Sequence, residues 1–221
     1  MINLFNQDCM TAMAEMKDKQ YQLSIVDPPY GIGADEKNNG PTSACHARTS
    51  LAELNTYKTG WDNVPPGSEY FDELSRVSKN QIIFGANYFG LKGGYIFWDK
   101  GVTMPTYSDG ELAYCSLLNS IKKVSILWHG MLQSDMKNKE YRIHPTQKPV
   151  RLYEWLLKNY AKPGDRILDT HGGSMSIAIA CYELGYDLDL YEIDKEYFDA
   201  GKARLERHMQ QGRLFDPDPP K

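Results

Sequence analysis

The chain has 221 residues, 24% of them charged and 41% hydrophobic, with a formal net charge of −4 at pH 7. That length suits one domain with a sizeable core, and the charge excludes a uniformly basic nucleic-acid coat and weighs mildly against a DNA or RNA partner. No run approaches the roughly 18 apolar residues of a membrane span, and the opening MINLFNQDCM lacks the layout of a signal peptide. Four scattered cysteines (Cys9, Cys45, Cys115, Cys181), with no CxxC pair, read as reduced thiols of a cytoplasmic protein and support no metal site.

In chain order, residues 22–26 (QLSIV) form an apolar strand that stops at Asp27-Pro28-Pro29-Tyr30. Residues 31–66 are rich in Gly, Asn, Pro, Ser and Thr and read as a mobile functional loop. From Gly67 to Val77 the apolar residues Tyr70, Phe71, Leu74 and Val77 recur at helical spacing. QIIFG (81–85), YIFWD (95–99), LAYCSL (112–117) and VSILW (124–128) read as strands. After a polar, basic stretch (129–149), residues 150–161 make an amphipathic helix. A turn at Lys162–Asp165 leads into a strand at 166–169 and a Gly-Gly-Ser loop. A helix at about 175–184 ends at Gly185, a strand runs to Glu192, and a last helix spans Lys195 to about His208. Strands alternating with helices predict an α/β fold with a mostly parallel sheet covered on both faces. The expectation is one domain over 1–208, with 209–221 (ending LFDPDPPK) as a disordered tail.

Two motifs carry chemistry. Asp27-Pro28-Pro29-Tyr30 ends a buried strand, and its two prolines fix the backbone and remove N–H donors from beside the carbonyls. Asp27 and the carbonyl of Pro28 can converge on one amino group as acceptors, and Tyr30 offers a flat face to a planar base. Two acceptors on an aromatic amine favour a pyramidal nitrogen and free its lone pair for attack. The alternative is a tight proline turn with a capping Asp. The second motif runs from Arg166 to Asp194 as strand, glycine turn, helix, strand and acid. Gly173 and Glu192 lie 19 residues apart, close to the ~20 between a nucleotide-binding glycine turn and its ribose-binding carboxylate. His171-Gly172-Gly173-Ser174 is neither GxGxxG nor a Lys-containing phosphate loop, so an ordinary βαβ turn stays open as an alternative.

Asp-Pro-Pro-Tyr after a hydrophobic strand resembles the signature of S-adenosylmethionine-dependent amino-methyltransferases that act on DNA. His144-Pro145-Thr146-Gln147-Lys148-Pro149 before a helix and Tyr191-Glu192-Ile193-Asp194 near the end are further matches. With the catalytic motif first and the cofactor loop last, the order resembles that of the β-type adenine-N6/cytosine-N4 methyltransferase family, in its phage-type form. The resemblance implies a Rossmann-like fold with permuted motif order. It makes Asp27, Pro28, Pro29 and Tyr30 catalytic, with Asp27 also facing the cofactor. Asp8 and Cys9 would flank the cofactor adenine, and Asp169, His171, Gly173 and Ser174 would form its loop. Glu192 would take the ribose hydroxyls, Ile193 the adenine, and Thr146, Gln147 and Lys148 the methionine end. An Asp rather than a Ser heading the tetrapeptide favours adenine N6. Met175 stands where the family has a glycine, and Gly172 is expected to compensate by shifting the turn one residue. The implied substrate is double-stranded DNA, methylated site-specifically after base flipping, without a metal or a membrane; family members are often homodimers.

A DNA partner needs positive charge locally rather than globally. Residues 121–151 hold seven Lys and Arg against two acids, which leaves −9 on the rest of the chain. Lys122, Lys123, Lys137, Lys139 and Arg142 are the candidate DNA contacts, and 129–143 is the candidate DNA-facing loop. A solvated loop of ordinary lysine content is the competing reading.

Overall fold

The computed structural model describes residues 1–34, 60–103, 108–129 and 132–215. Strands are β1 (Ile2–Phe5), β2 (Tyr21–Val26), β3 (Ser78–Phe84), β4 (Gly94–Asp99), β5 (Gly110–Cys115), β6 (Ile121–Ser125), β7 (Trp128–His129), β8 (Leu132–Gln133), β9 (Arg166–Asp169) and β10 (Asp187–Tyr191). Helices are α1 (Cys9–Glu15), α2 (Ser68–Val77), α3 (Ala86–Phe89), α4 (Val150–Tyr160), α5 (Ser176–Leu184) and α6 (Lys195–Phe215). Eight strands form one sheet in the order β1-β10-β9-β2-β3-β5-β4-β6, and β7 and β8 pair as a separate ribbon. Only β5 runs antiparallel to its neighbours in the large sheet.

Strand alternation sends side chains to two cores. Leu23, Ile25, Ile82, Phe84, Ile167, Leu188 and Leu190 face Leu152, Leu156 and Leu157 of α4 and Ile177–Cys181 of α5. On the other face Val26, Ile83, Leu168 and Tyr191 meet Met13 of α1 and Tyr70, Leu74 and Val77 of α2. The period-2 pattern of the central strands and the period-3.6 stripe of α2 and α4 are thus two halves of the same packing.

From β2 the chain crosses through α2 to β3 on one side, and from β9 through α5 to β10 on the other. The β2/β9 boundary, paired at Leu23↔Ile167 and Ser24↔Leu168, is therefore a topological switch point. Open α/β sheets leave a crevice at such a point, beyond the carboxyl ends of the strands. Asp169 ends β9 there, and Asp27 and Glu192 follow the adjacent strands β2 and β10.

Several boundaries differ from the sequence expectation. The β1 strand and α1 were not anticipated, being too short for periodicity to show. The strand expected at 124–128 starts at Ile121 and stops at Ser125, because Trp128 turns into the β7–β8 ribbon. β5 ends at Cys115 rather than 117, where the chain turns back toward β6. α6 continues to Phe215, so the expected tail at 209–221 begins as helix. Of the expected 31–66 loop, residues 35–59 lie outside the described residues. No helix among the described residues is long and apolar enough to cross a membrane.

Candidate functional site

At the switch point a cavity of about 400 Å³ opens, lined by Asp27, Pro29, Trp61, His144, Thr146, Gln147, Lys148, Tyr153, residues 171–174, residues 192–195 and Tyr197. This brings together the end of β2, the segment before α4, the loop after β9 and the loop after β10. Glu192 is held from two sides: its Oε2 accepts from Gly173 N at 2.7 Å and its Oε1 from Asp194 N at 2.8 Å. Each carboxylate oxygen keeps a lone pair for a ligand hydroxyl. Burial pushes the Glu192 proton affinity up. Ile193 beside it is 69% exposed, an apolar surface that a flat ring could cover.

The glycines of the loop divide two tasks. A Cβ on Gly172 would stand 2.3 Å from Leu190, so this position lets the loop lie flat on β10. Gly173 has φ +47, and a Cβ there would touch the His144 ring at 3.7 Å. Gly172 does not take over the left-handed turn, contrary to the expected one-residue shift. Met175 adopts that conformation itself, with φ 56 and ψ 29, as the N-cap of α5. The loop is tied down from behind by Arg204, whose Nη1 donates to the Ser174 carbonyl at 2.7 Å and whose Nη2 pairs with Glu140 at 2.6 Å. Ser176 Oγ donates to the carbonyl of Lys148 at 2.7 Å, joining this loop to the 144–149 segment.

Both histidines of the site are neutral at pH 7. Burial lowers His144 to about 3, aided by Lys148 and Arg142, and its ring lies against Trp61 and Tyr197 at 5.0 and 4.3 Å. Burial lowers His171 to about 4, and its ring stands edge-on to Tyr70. Asp169 is buried and raised to about 8 by desolvation and by repulsion from Asp27 and Glu192; its Oδ1 accepts from His171 N. Asp8 and Cys9 stand outside the cavity lining. Asp8 caps α1 through Thr11, and burial beside Asp8 pushes the Cys9 thiol up to about 12, leaving it unreactive.

The Asp-Pro-Pro-Tyr segment is the most heavily braced part of the site. The Tyr30 hydroxyl donates to Asp27 Oδ1 at 2.5 Å, and Lys148 Nζ donates to Asp27 Oδ2 at 2.5 Å. Lys148 also pairs with Glu111 at 3.0 Å, and Lys100 holds the other Glu111 oxygen at 2.7 Å. Lys148 was expected at the methionine end of a cofactor; its ammonium instead faces the tetrapeptide. Burial raises Asp27, whereas Lys148 and Lys100 overcome the burial penalty of Glu111 and hold it at about 2. Tyr30 does not present a bare ring: Tyr88 stacks on it at 5.2 Å, and Gly85 passes so close that a Cβ there would lie 2.4 Å from the ring.

Two more groups escaped the sequence reading. Asp62, nearly fully buried, accepts from the backbone N–H of Tyr30, Gly31 and Ala34 at 2.6, 2.9 and 2.8 Å and so fixes the chain leaving the tetrapeptide. Glu111 precedes the apolar part of β5, in a segment with no motif of its own. An acid flanked by glycine, as in Asp109-Gly110-Glu111, was the only available signal.

The candidate DNA contacts do not form one patch. Lys122 and Lys123 lie on the edge strand β6, four strand spacings (about 19 Å) from β2. Lys123 pairs with Asp99 at 2.7 Å, and Arg142 donates to the Pro145 carbonyl. Lys137 and Lys139 are exposed in the stretch after β8.

Comparison with known proteins fits this architecture. The chain is 24% identical over 95% of its length to the Escherichia coli (strain K12) protein YubD, named as a methylase, and covers 93% of it. It is 34% identical to the type II methyltransferase M2.DpnII of Streptococcus pneumoniae over 40% of this chain and 33% of that one. The family model for N6/N4 DNA methylases matches residues 95–203. These matches support the N6/N4 DNA methyltransferase family for this chain. It is thus a DNA methyltransferase that uses S-adenosylmethionine. In fold it is similar to the M1.HpyAVI–SAM complex (TM-score 0.55, 20% identity, 92% of this chain and 100% of that one). It is also similar to the cytosine-N4-specific PvuII DNA methyltransferase (TM-score 0.59, 12% identity, 95% and 90%). The cavity suits the methylase cofactor chemically: carboxylates of Asp27, Glu192 and Asp194 and the aromatic faces of Trp61, Tyr153 and Tyr197 favour a cation, and the flat Gly172–Gly173 loop admits close approach.

Proposed function

We propose that this methylase modifies the N6 amino group of adenine in double-stranded DNA, after rotating the base out of the helix. The observation that carries the reading is Asp27. Its carboxylate borders the cavity at the carboxyl end of β2, oriented on one oxygen by the Tyr30 hydroxyl. Extrusion of a base costs a few kcal/mol and exposes the amino group that an acceptor can hold. Asp27 accepts one N–H of that amine and the Pro28 carbonyl, which has a proline rather than a donor beside it, accepts the other. The lone pair is then free, and catalysis consists mainly of positioning and charge placement.

S-adenosylmethionine supplies an electrophilic methyl group on a sulfonium. The residues that would hold it are Glu192 at the ribose hydroxyls, Ile193 at the adenine, the Gly172–Ser174 loop, and Thr146 and Gln147 at the methionine end. Asp27, rather than the serine associated with cytosine N4, supports adenine as the target.

Incubation with unmethylated genomic DNA and cofactor, then nucleoside digestion and mass spectrometry, tests the assignment. N6-methyladenine is the expected product, and N4-methylcytosine alone would overturn it. Asp27→Ala should lower the transfer rate by about 100-fold or more at saturating cofactor. Full activity of that variant would remove Asp27 from the mechanism.

A further inference from the structure

The structure assigns Glu111 a task in the reaction: it is a positioning residue that keeps the Lys148 ammonium paired while Asp27 turns to the target amine. The inference rests on the reading of Asp27 as the amine holder. In the structure the place of a second amine on Asp27 is filled by Lys148 itself, which lies between Asp27 Oδ2 at 2.5 Å and Glu111 Oε2 at 3.0 Å. The Lys148 side chain is only 2% exposed and its ammonium sits 4.6 Å over the Phe84 ring, so it cannot withdraw into water. A buried cation deprived of its partner is strongly disfavoured. Glu111 is the available second partner and is itself fixed, one oxygen by Lys100 at 2.7 Å and the other within 3.3 Å of the Tyr30 hydroxyl.

The proton balance gives the arrangement its use. When the amino nitrogen spends its lone pair on the new N–C bond, the pair of the broken S–C bond stays on sulfur. The nitrogen is left positive, with one proton in excess. Asp27 takes that proton and becomes neutral, and Lys148 stays charged because Glu111 stays ionised. The positive charge therefore moves from the sulfonium to the neighbourhood of Lys148 and Lys100, and no buried charge is stranded. The other titratable groups facing this cluster are Tyr70 of α2, Tyr153 of α4, Asp169 of β9 and His144. Asp169, raised to about 8, is mostly protonated at neutral pH, the two tyrosines stay protonated and His144 stays neutral, so Lys148 and Lys100 are the cluster's cations.

Two measurements on the full-length protein test this. Carbon-13 carboxyl titration of the cofactor-free protein, with Asp27→Asn to identify the resonance, should show the Asp27 midpoint lowered in Glu111→Gln and raised in Lys148→Met, each by about one pH unit. Unmoved midpoints, or shifts of the same sign, overturn the pairing. In single-turnover methylation of duplex DNA, Glu111→Gln should be slower by about tenfold or more at nearly unchanged DNA and cofactor affinity, with Glu111→Asp restoring part of the rate. The double variant Glu111→Gln/Lys148→Met, assayed at about pH 9 to keep Asp27 ionised, should be faster than Glu111→Gln, because the competing ammonium is gone. A double variant no faster than the single one overturns the assignment. Absence of any methyl transfer by the wild type overturns the function reading instead, and the titration then decides the pairing.

Discussion

Met175 combines a backbone cost with a packing gain. Its left-handed φ of 56 is unfavourable for a residue with a Cβ, by about 1–2 kcal/mol. Its side chain is completely buried, with Gly201 of α6 packed against it, and emptying such a site costs about 2–5 kcal/mol. Packing outweighs strain, so Met175→Gly should destabilise the fold by about 1–3 kcal/mol in urea unfolding. Met175→Ala, which keeps the strain and loses the contacts, should be worse by about 1 kcal/mol. A glycine variant more stable than the wild type would reverse the ranking. His144 gives a second test at this scale. Its folded pKa of about 3 lies below the unfolded value of 6.5, so the unfolded chain binds more protons between those values. Stability is therefore lost as pH falls from 6.5 toward 3, by about 3 kcal/mol from this group by pH 4. His144→Gln should flatten the acid side of a plot of unfolding free energy against pH, and an unchanged slope would place the titration elsewhere. Asp27 to Tyr30 were legible in the sequence because a proline pair at a strand end is a local signal. Asp62 and Glu111 were not, since their partners lie 28–32 and 11–81 residues away and meet them only after folding.

Among the elements, those with a full hydrophobic period (β2, β3, β4, α2, α4, β9 and β10) could be read from the chain. The start of the β6 edge strand could not, because its IKKVS pattern exposes four of five residues and its first three look like a loop. Edge strands carry such lysines to discourage pairing with other chains, which gives Lys122 a role without DNA. The basic 121–151 segment also proves heterogeneous: Lys148 is buried in the site and Lys123 is neutralised by Asp99. That concentrates the expected DNA contact on the exposed Lys137 and Lys139 after β8. Replacing both with alanine should weaken duplex binding and reduce the slope of log affinity against log salt by about 2. Cofactor affinity, read by calorimetry, should not change. An unaltered salt slope would move the DNA path away from this stretch.

At the scale of the whole molecule, the alternation of strands and helices predicts the mostly parallel sheet, and the positions of the two motifs predict their meeting. What the chain does not announce is the strand order, and hence that Glu192, Asp169 and Asp27 stand side by side at one crevice. That neighbourhood arises from opposite crossovers on either side of the β2/β9 boundary. The net charge of −4 likewise conceals its layout: part of the acidity serves a cation-binding cavity and part of the basicity is spent inside the site.

The outer edge of the sheet has a further consequence. β1 pairs in parallel with β10, Ile2 opposite Leu188 and Phe5 opposite Tyr191. β1 is thus made long before its only strand neighbour in the described sheet, β10. The strands from β2 to β6 can associate earlier, whereas the β9–β10–β1 side must close a loop of more than 180 residues. Long-range closure of this kind is slow. In pulse-labelled hydrogen exchange during refolding, the amides of residues 2–5 should gain protection after those of 23–26 and 82–84. The pocket wall that carries Glu192 is then built after the end of β2, and the amine-holding loop forms before the wall that would hold a methyl donor.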